Sequence, residues 1–286
     1  MNNYFTKKDG QLLFVFAVVA SALMSLVVGS MDVFVNAEPG TVAYWTAQIA
    51  YSLSIGLVAI VYAQVTKKNF VVCAKINHAP NVLHVLCVCL ATTFLVFFST
   101  PVNALFVQLL ENLGLNRPSV DLPLQWPMLI VVVGIVAPAT EELLFRGAMT
   151  SGLADSNPWH AVLLSGLAFA LFHMNPAQLL HQFVFGCVLA FAMLRSGSVW
   201  VPVIGHMFNN LLALLLMALN VETWIEQNVL LCIVVGAIGA GVVLFLYAKH
   251  TNWKHQSTKT AGEANVLFVL AMAFCAFFGA LSLFVG

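Results

Sequence analysis

Residues 127–149 read PMLIVVVGIVAPATEELLFRGAM, an apolar run broken only by Glu141, Glu142 and Arg146. A bilayer's hydrocarbon core is about 30 Å thick and takes about 20 apolar residues to cross as a helix. The run therefore reads as a membrane span, and its length fixes the class of the chain. Composition agrees: 61% of residues are hydrophobic and 8% charged, with a mean hydropathy of +0.96, where a soluble domain carries roughly a quarter charged residues. A soluble fold is excluded. The expected architecture is all-α, a polytopic bundle of transmembrane helices.

Working outward, about nine such stretches are expected. They lie near residues 11–31, 42–64, 82–106, 127–149, 159–175, 178–195, 198–219, 228–248 and 264–285. The first follows Lys7 and Lys8 but is long and lacks a small-residue cleavage site, so it reads as a retained helix. The longest loop, 107–126, holds Asn116, Arg117, Pro118 and Pro123 and reads as a surface connector. The six cysteines, at 73, 87, 89, 187, 232 and 275, have no metal-ligand spacing and read as small packing residues. By polarity the chain divides into N-terminal spans (1–126), a central core (127–219, spans four to seven) and C-terminal spans (220–286).

Net charge is formally zero, yet the basic residues are segregated. Lys7 and Lys8, Lys67, Lys68 and Lys75, Arg195, and Lys249, Lys254 and Lys259 fall in alternate connections. The intervening ones hold Asp32 and Glu38, Glu111 and Asp121, Glu222 and Glu226. Under the positive-inside rule the basic set is cytoplasmic, which places the N-terminus inside and the C-terminus outside. Nothing points to nucleic acid; the partners expected are the lipid bilayer and a membrane-associated peptide or protein.

Ionisable side chains within a span cost about 2.5–3.5 kcal/mol each on insertion scales and point to function. Glu142 and Arg146 are four apart on one helix face and can pair, whereas Glu141 is turned about 100° away with no local partner. Pro138 cannot donate the bond that Gly134 would accept, which predicts an opened backbone beside the glutamates. Two further segments carry polar groups. Phe169 and His173 share a face near the end of the fifth span, before Asn175-Pro176. His206 and Asn210 share a face of the seventh, after Pro202 and Gly205. His181 and Gln182 open the sixth span and are weighed as cavity residues; His84 and His160 sit near span ends and are assigned nothing.

A carboxylate, two histidines and an amide on neighbouring spans suit hydrolysis. Glu141, helped by His173, could deprotonate a water, and His206 with Asn210 could hold the oxygen of a tetrahedral intermediate. The ordered set EExxxR, FxxxH and HxxxN over residues 130–215 resembles the CPBP family of CAAX prenyl proteases and bacteriocin-processing enzymes. The resemblance implies a helical bundle around a cavity that admits peptide from the membrane or its edge. It matches Glu141 and His173 to the water-activating residues and His206 and Asn210 to the third motif, with Glu142, Arg146 and Phe169 in support. CAAX-type and leader or bacteriocin-type peptides are the substrate classes it implies.

No cofactor is expected. One alternative adds zinc on Glu141, His173 and His206, a mixed carboxylate and imidazole set, although no HExxH is present. Another is a membrane immunity or scaffold protein without catalysis, which members of the family include. A transporter with Glu141 as proton relay is disfavoured by the lack of a hydropathy repeat. Compact size leans toward a bacterial plasma membrane. With straight helices at these boundaries, Glu141 and His173 would be offset by more than about 10 Å along the bundle.

Overall fold

The computed structural model describes residues 4–115, 124–154, 157–254 and 265–284. Asn116, Arg117, Pro118, Asp121, Pro123 and Lys259 lie outside the described residues. Among the described residues nine apolar helices lie in the stretches the hydropathy marks: α1 (Lys7–Ser30), α2 (Val42–Val65), α3 (Val82–Asn112), α4 (Trp126–Leu153), α5 (Pro158–Phe172), α6 (Pro176–Ser196), α7 (Trp200–Ala218), α8 (Val229–His250) and α9 (Val266–Leu281). Seven are long and apolar enough to cross a membrane. α5 and α9 are shorter, at 15 and 16 residues. The connector predicted from residue 107 begins later, because α3 continues to Asn112 and buries Val107 and Leu110.

Local chemistry sets the helix starts. Thr6 and Asp9 form a capping box at α1, Thr41 caps α2, Asn81 caps α3, and Asn157 caps α5 with Pro158 as its first residue. Gly197, at φ 70°, ends α6 in the left-handed conformation glycine tolerates best.

The basic connections gather at one end of the bundle. Lys68 pairs with Asp9, whose carboxylate also accepts from Tyr62 at 2.7 Å. Ser198 donates to the His78 carbonyl at 2.5 Å, Trp200 to that of Ile76 at 2.8 Å, and the Lys254 amide to that of Leu194 at 2.8 Å. The other end holds the acidic connections, with Trp45 on α2 donating to Gln125 at 2.7 Å.

One apolar core, including Phe14, Leu95, Phe145, Phe169, Leu189 and Phe268, runs through helices from both ends of the sequence. α5 and α6 form a hairpin whose helices touch at Gly166 and Gly186. A Cβ on Gly186 would stand 3.0 Å from the Gly166 Cα, so small residues allow this close crossing, as is usual between membrane helices. The hairpin tip follows His173 through Met174, at φ 46°, and the Asn175-capped turn Pro176–Gln178.

The later end of α4 removes about half of the expected offset between the first two motifs. α4 runs to Leu153 instead of stopping at 149, and α5 starts at Pro158 and stops at Phe172. Glu141 then lies twelve residues from the basic end of α4 and His173 fifteen from that of α5, a difference of about 5 Å at 1.5 Å per residue.

Candidate active site

α4 is not a regular α-helix. Residues Leu129–Val136 and Leu143–Thr150 are π-helical, and the single α-helical stretch between them, Ala137–Glu142, carries both glutamates. Such widened turns are rare and recur at functional sites. Pro138 accounts for the first. The Ala137 amide bonds five residues back to Val132, so the next donor in that ladder would be Pro138, which has no N–H. The carbonyl left over is Val133, one residue earlier than an α-helical ladder would free. Asn210 of α7 takes it, its Nδ2 donating to Val133 O at 2.9 Å. The amide of the third motif thus repairs the gap that the proline opens in the first.

The two glutamates have different surroundings. Glu142 and Arg146 are wholly buried. Glu142 Oε1 accepts from Arg146 Nη1 at 2.7 Å and lies 2.8 Å from His206 Nδ1. Arg146 also donates through Nη2 to the Gly186 carbonyl at 3.2 Å, and its guanidinium lies 4.2 Å from the centre of the Phe169 ring. Phe169 in turn meets His173 edge-to-face at 4.7 Å and His206 at 5.8 Å. The first residue of FxxxH is therefore the apolar hub against which the arginine and both histidines pack. Glu141 is only partly buried, and among the described residues its carboxylate accepts no hydrogen bond and joins no ion pair.

His173 has its tautomer set by the backbone. Nδ1 lies 2.8 Å from the Phe169 carbonyl oxygen. A carbonyl only accepts, so Nδ1 carries the hydrogen and Nε2 of the neutral ring keeps a free lone pair. Thr150 of α4 and Ser165 of α5 join at 2.7 Å and lock the two helices one turn toward the basic end.

The structure joins Glu142, Arg146, Phe169, His173 and His206 in one network of hydrogen bonds and ring contacts, with Glu141 next to Glu142 on α4 and Asn210 bonded to the Val133 carbonyl of the same helix. His181 sits farther out, 2.6 Å from Ser99 on α3 and stacked on Phe185 at 5.7 Å. His84 bonds Tyr247 at 2.6 Å. Sequence spacing foretold the Glu142–Arg146 pair; it could not show the Glu142–His206 bond, which joins residues 64 apart, nor the bond from Asn210 to a backbone carbonyl. Among the described residues no three His, Cys, Asp or Glu side chains are placed to hold one metal ion.

Comparison with known proteins places the same segment. The model of the family described as type II CAAX prenyl endopeptidase Rce1-like matches residues 123–212. "Putative membrane peptidase YdiL" of Bacillus subtilis is 30% identical over 103 residues, covering 36% of this chain and 42% of that protein. An "Uncharacterized 24.3 kDa protein" of Escherichia coli is 33% identical over 92 residues, covering 30% of this chain and 42% of that protein. The matched stretch thus spans about two fifths of the length of each of these relatives. No solved structure matches the chain. The segment that carries all three motifs is thus the part of the chain that resembles the Rce1-like, CAAX prenyl endopeptidase family.

Proposed function

We propose that this integral membrane protein is an endopeptidase that hydrolyses a peptide bond of a membrane-associated substrate, using water activated within the bundle. The observation that carries this reading is the division of labour between adjacent glutamates: Glu142 is fixed by two partners while Glu141 has none among the described residues. A carboxylate held at membrane depth without a protein partner is free to take a proton from water. The printed name of the Bacillus relative and the family match point the same way.

In this mechanism Glu141 is the general base, and the bare Nε2 of His173 is the second acceptor that orients the attacking water. The hydroxide adds to the substrate carbonyl carbon, and the proton held by Glu141 passes to the departing amine. His206 turns Nδ1 toward Glu142, so its Nε2 faces away from the ion pair. With the ring protonated, Nε2–H donates to the tetrahedral oxyanion while Glu142 balances the charge. Asn210 keeps one amide hydrogen beyond the one given to Val133 and supplies the second donor. Arg146 and Phe169 hold this frame and touch no reacting atom.

The mechanism draws on no metal. The basic end is assigned to the cytoplasm by the positive-inside rule, and a bacterial plasma membrane is the proposed location. The substrate class is a CAAX-type or leader-type peptide presented at the membrane.

The test is cleavage of a peptide library by protein in nanodiscs, read by mass spectrometry, beside His173→Ala. Loss of one base or orienting group predicts a fall of about 10²–10⁴-fold in cleavage rate with unfolding temperature unchanged, and activity that persists after exhaustive chelation. Wild type that cleaves nothing would overturn the peptidase reading. Activity lost to chelation and restored by zinc would overturn its metal-free form.

A further inference from the structure

On the side of the site away from the basic end, α3, α6 and α7 enclose a cavity of about 270 Å³. Its wall carries no Asp, Glu, Lys or Arg, and Ser99, Asn103, His181, Gln182 and Asn209 contribute most of its hydrogen-bonding groups. In a bilayer such a surface has no lipid partner, and polar groups left there need one. Three of these side chains, Asn103, Gln182 and Asn209, have a buried amide oxygen with no hydrogen-bond partner among the described residues, and Asn209 itself is 4% exposed. Native interiors rarely tolerate such clusters, and a group of them marks a place completed by something else.

The cavity adjoins the candidate active site through two shared elements. Asn209 precedes Asn210 on α7 and donates to its Oδ1 at 3.3 Å. His181 stacks on Phe185, whose ring meets His206 edge-to-face at 5.0 Å. A chain lying across the reacting centre would therefore run into this space.

We infer that the cavity is a substrate subsite that binds an extended, uncharged stretch of peptide through its main-chain amides. Carboxamides and a hydroxyl pair with both N–H and C=O groups, as a peptide main chain requires, and the absence of charged side chains disfavours an ionised residue at that position. This inference rests on the peptidase reading for its direction but not for its test.

The probe is a fluorescein-labelled seven-residue peptide from the cleavage library, together with versions N-methylated at each backbone nitrogen in turn. Binding is measured by anisotropy on Glu141→Ala protein, which separates binding from turnover. One N-methyl position is expected to weaken binding about tenfold, the loss of one or two buried hydrogen bonds. In Asn103→Leu and Gln182→Leu, each made in the Glu141→Ala background, the parent peptide should bind about as weakly as the methylated one, and methylation there should have little further effect. Two separate variants guard against a folding failure in one. Non-interacting losses, or undiminished binding in both folded variants, would overturn the subsite. Binding that shows this coupling while wild type cleaves nothing would keep the subsite and reject the peptidase.

Discussion

Arg146→Ala is expected to destabilise the protein by about 3–5 kcal/mol, because it strands a carboxylate in the interior. The guanidinium makes three kinds of contact at once: an ion pair with Glu142 at 2.7 Å, a hydrogen bond to the Gly186 carbonyl at 3.2 Å and a cation–π contact with Phe169 at 4.2 Å. Each joins a different element, α4 to itself, to α6 and to α5. Surface ion pairs contribute about 0–1 kcal/mol, so a loss of that size would mean the pair is solvated and the buried geometry is wrong. Arg146→Lys should recover little, since an ammonium cannot serve both oxygen partners from a planar fork or stack on the ring. The double variant Glu142→Gln/Arg146→Met should be more stable than either Arg146→Ala or Glu142→Gln, because removing both charges is far less costly than removing one. Thermal unfolding followed by circular dichroism in detergent measures all four, and a double variant no better than the singles would show that the pair is not the source of the loss.

Much of this arrangement was legible in the sequence, and the part that was not has a common cause. Hydropathy located all nine apolar helices, since span length is set by bilayer thickness and needs no knowledge of packing. Helical periodicity foretold the Glu142–Arg146 pair, and Pro138 foretold an opened backbone. An α-helical ladder puts the opening at Gly134; the π register moves it to Val133. The same limit explains the misjudged depth of Glu141 against His173. A window of apolar residues cannot tell a helix that crosses from a 15-residue arm of a hairpin, and the α4 boundary was set four residues early at a run of small and polar residues, Gly147 to Ser151, that helix–helix contact makes helical. The bonds that assemble the site, Glu142 to His206 and Asn210 to Val133, link positions 64 and 77 apart. Local pattern carries no information on which distant faces meet, so those roles had to come from the fold.

The adjacent glutamates should respond in opposite ways to the same substitution. Glu141→Gln removes a proton acceptor that makes no hydrogen bond to the described residues, so stability should change by no more than about 0.5 kcal/mol, the range for uncoupled sites. Cleavage should fall by about 10²–10⁴-fold, the contribution of a positioned general base. Glu142→Gln keeps the shape but removes the charge that holds Arg146 Nη1 at 2.7 Å and His206 Nδ1 at 2.8 Å. It should lose about 3–5 kcal/mol of stability as Arg146 is left buried without a counter-charge, and cleavage should fall as well, through His206. Single-turnover cleavage measured beside thermal unfolding separates the two cases. If Glu142→Gln were inactive yet fully stable while Glu141→Gln unfolded, the roles would be exchanged, and Glu142, with its free Oε2, would be the base. The geometry opposes that exchange: Glu142 Oε1 is already shared by a guanidinium and an imidazole. Nature's doubling of the glutamate is then explained by conflict between two tasks, since a group tied down well enough to orient His206 and anchor Arg146 is no longer free to take a proton from water.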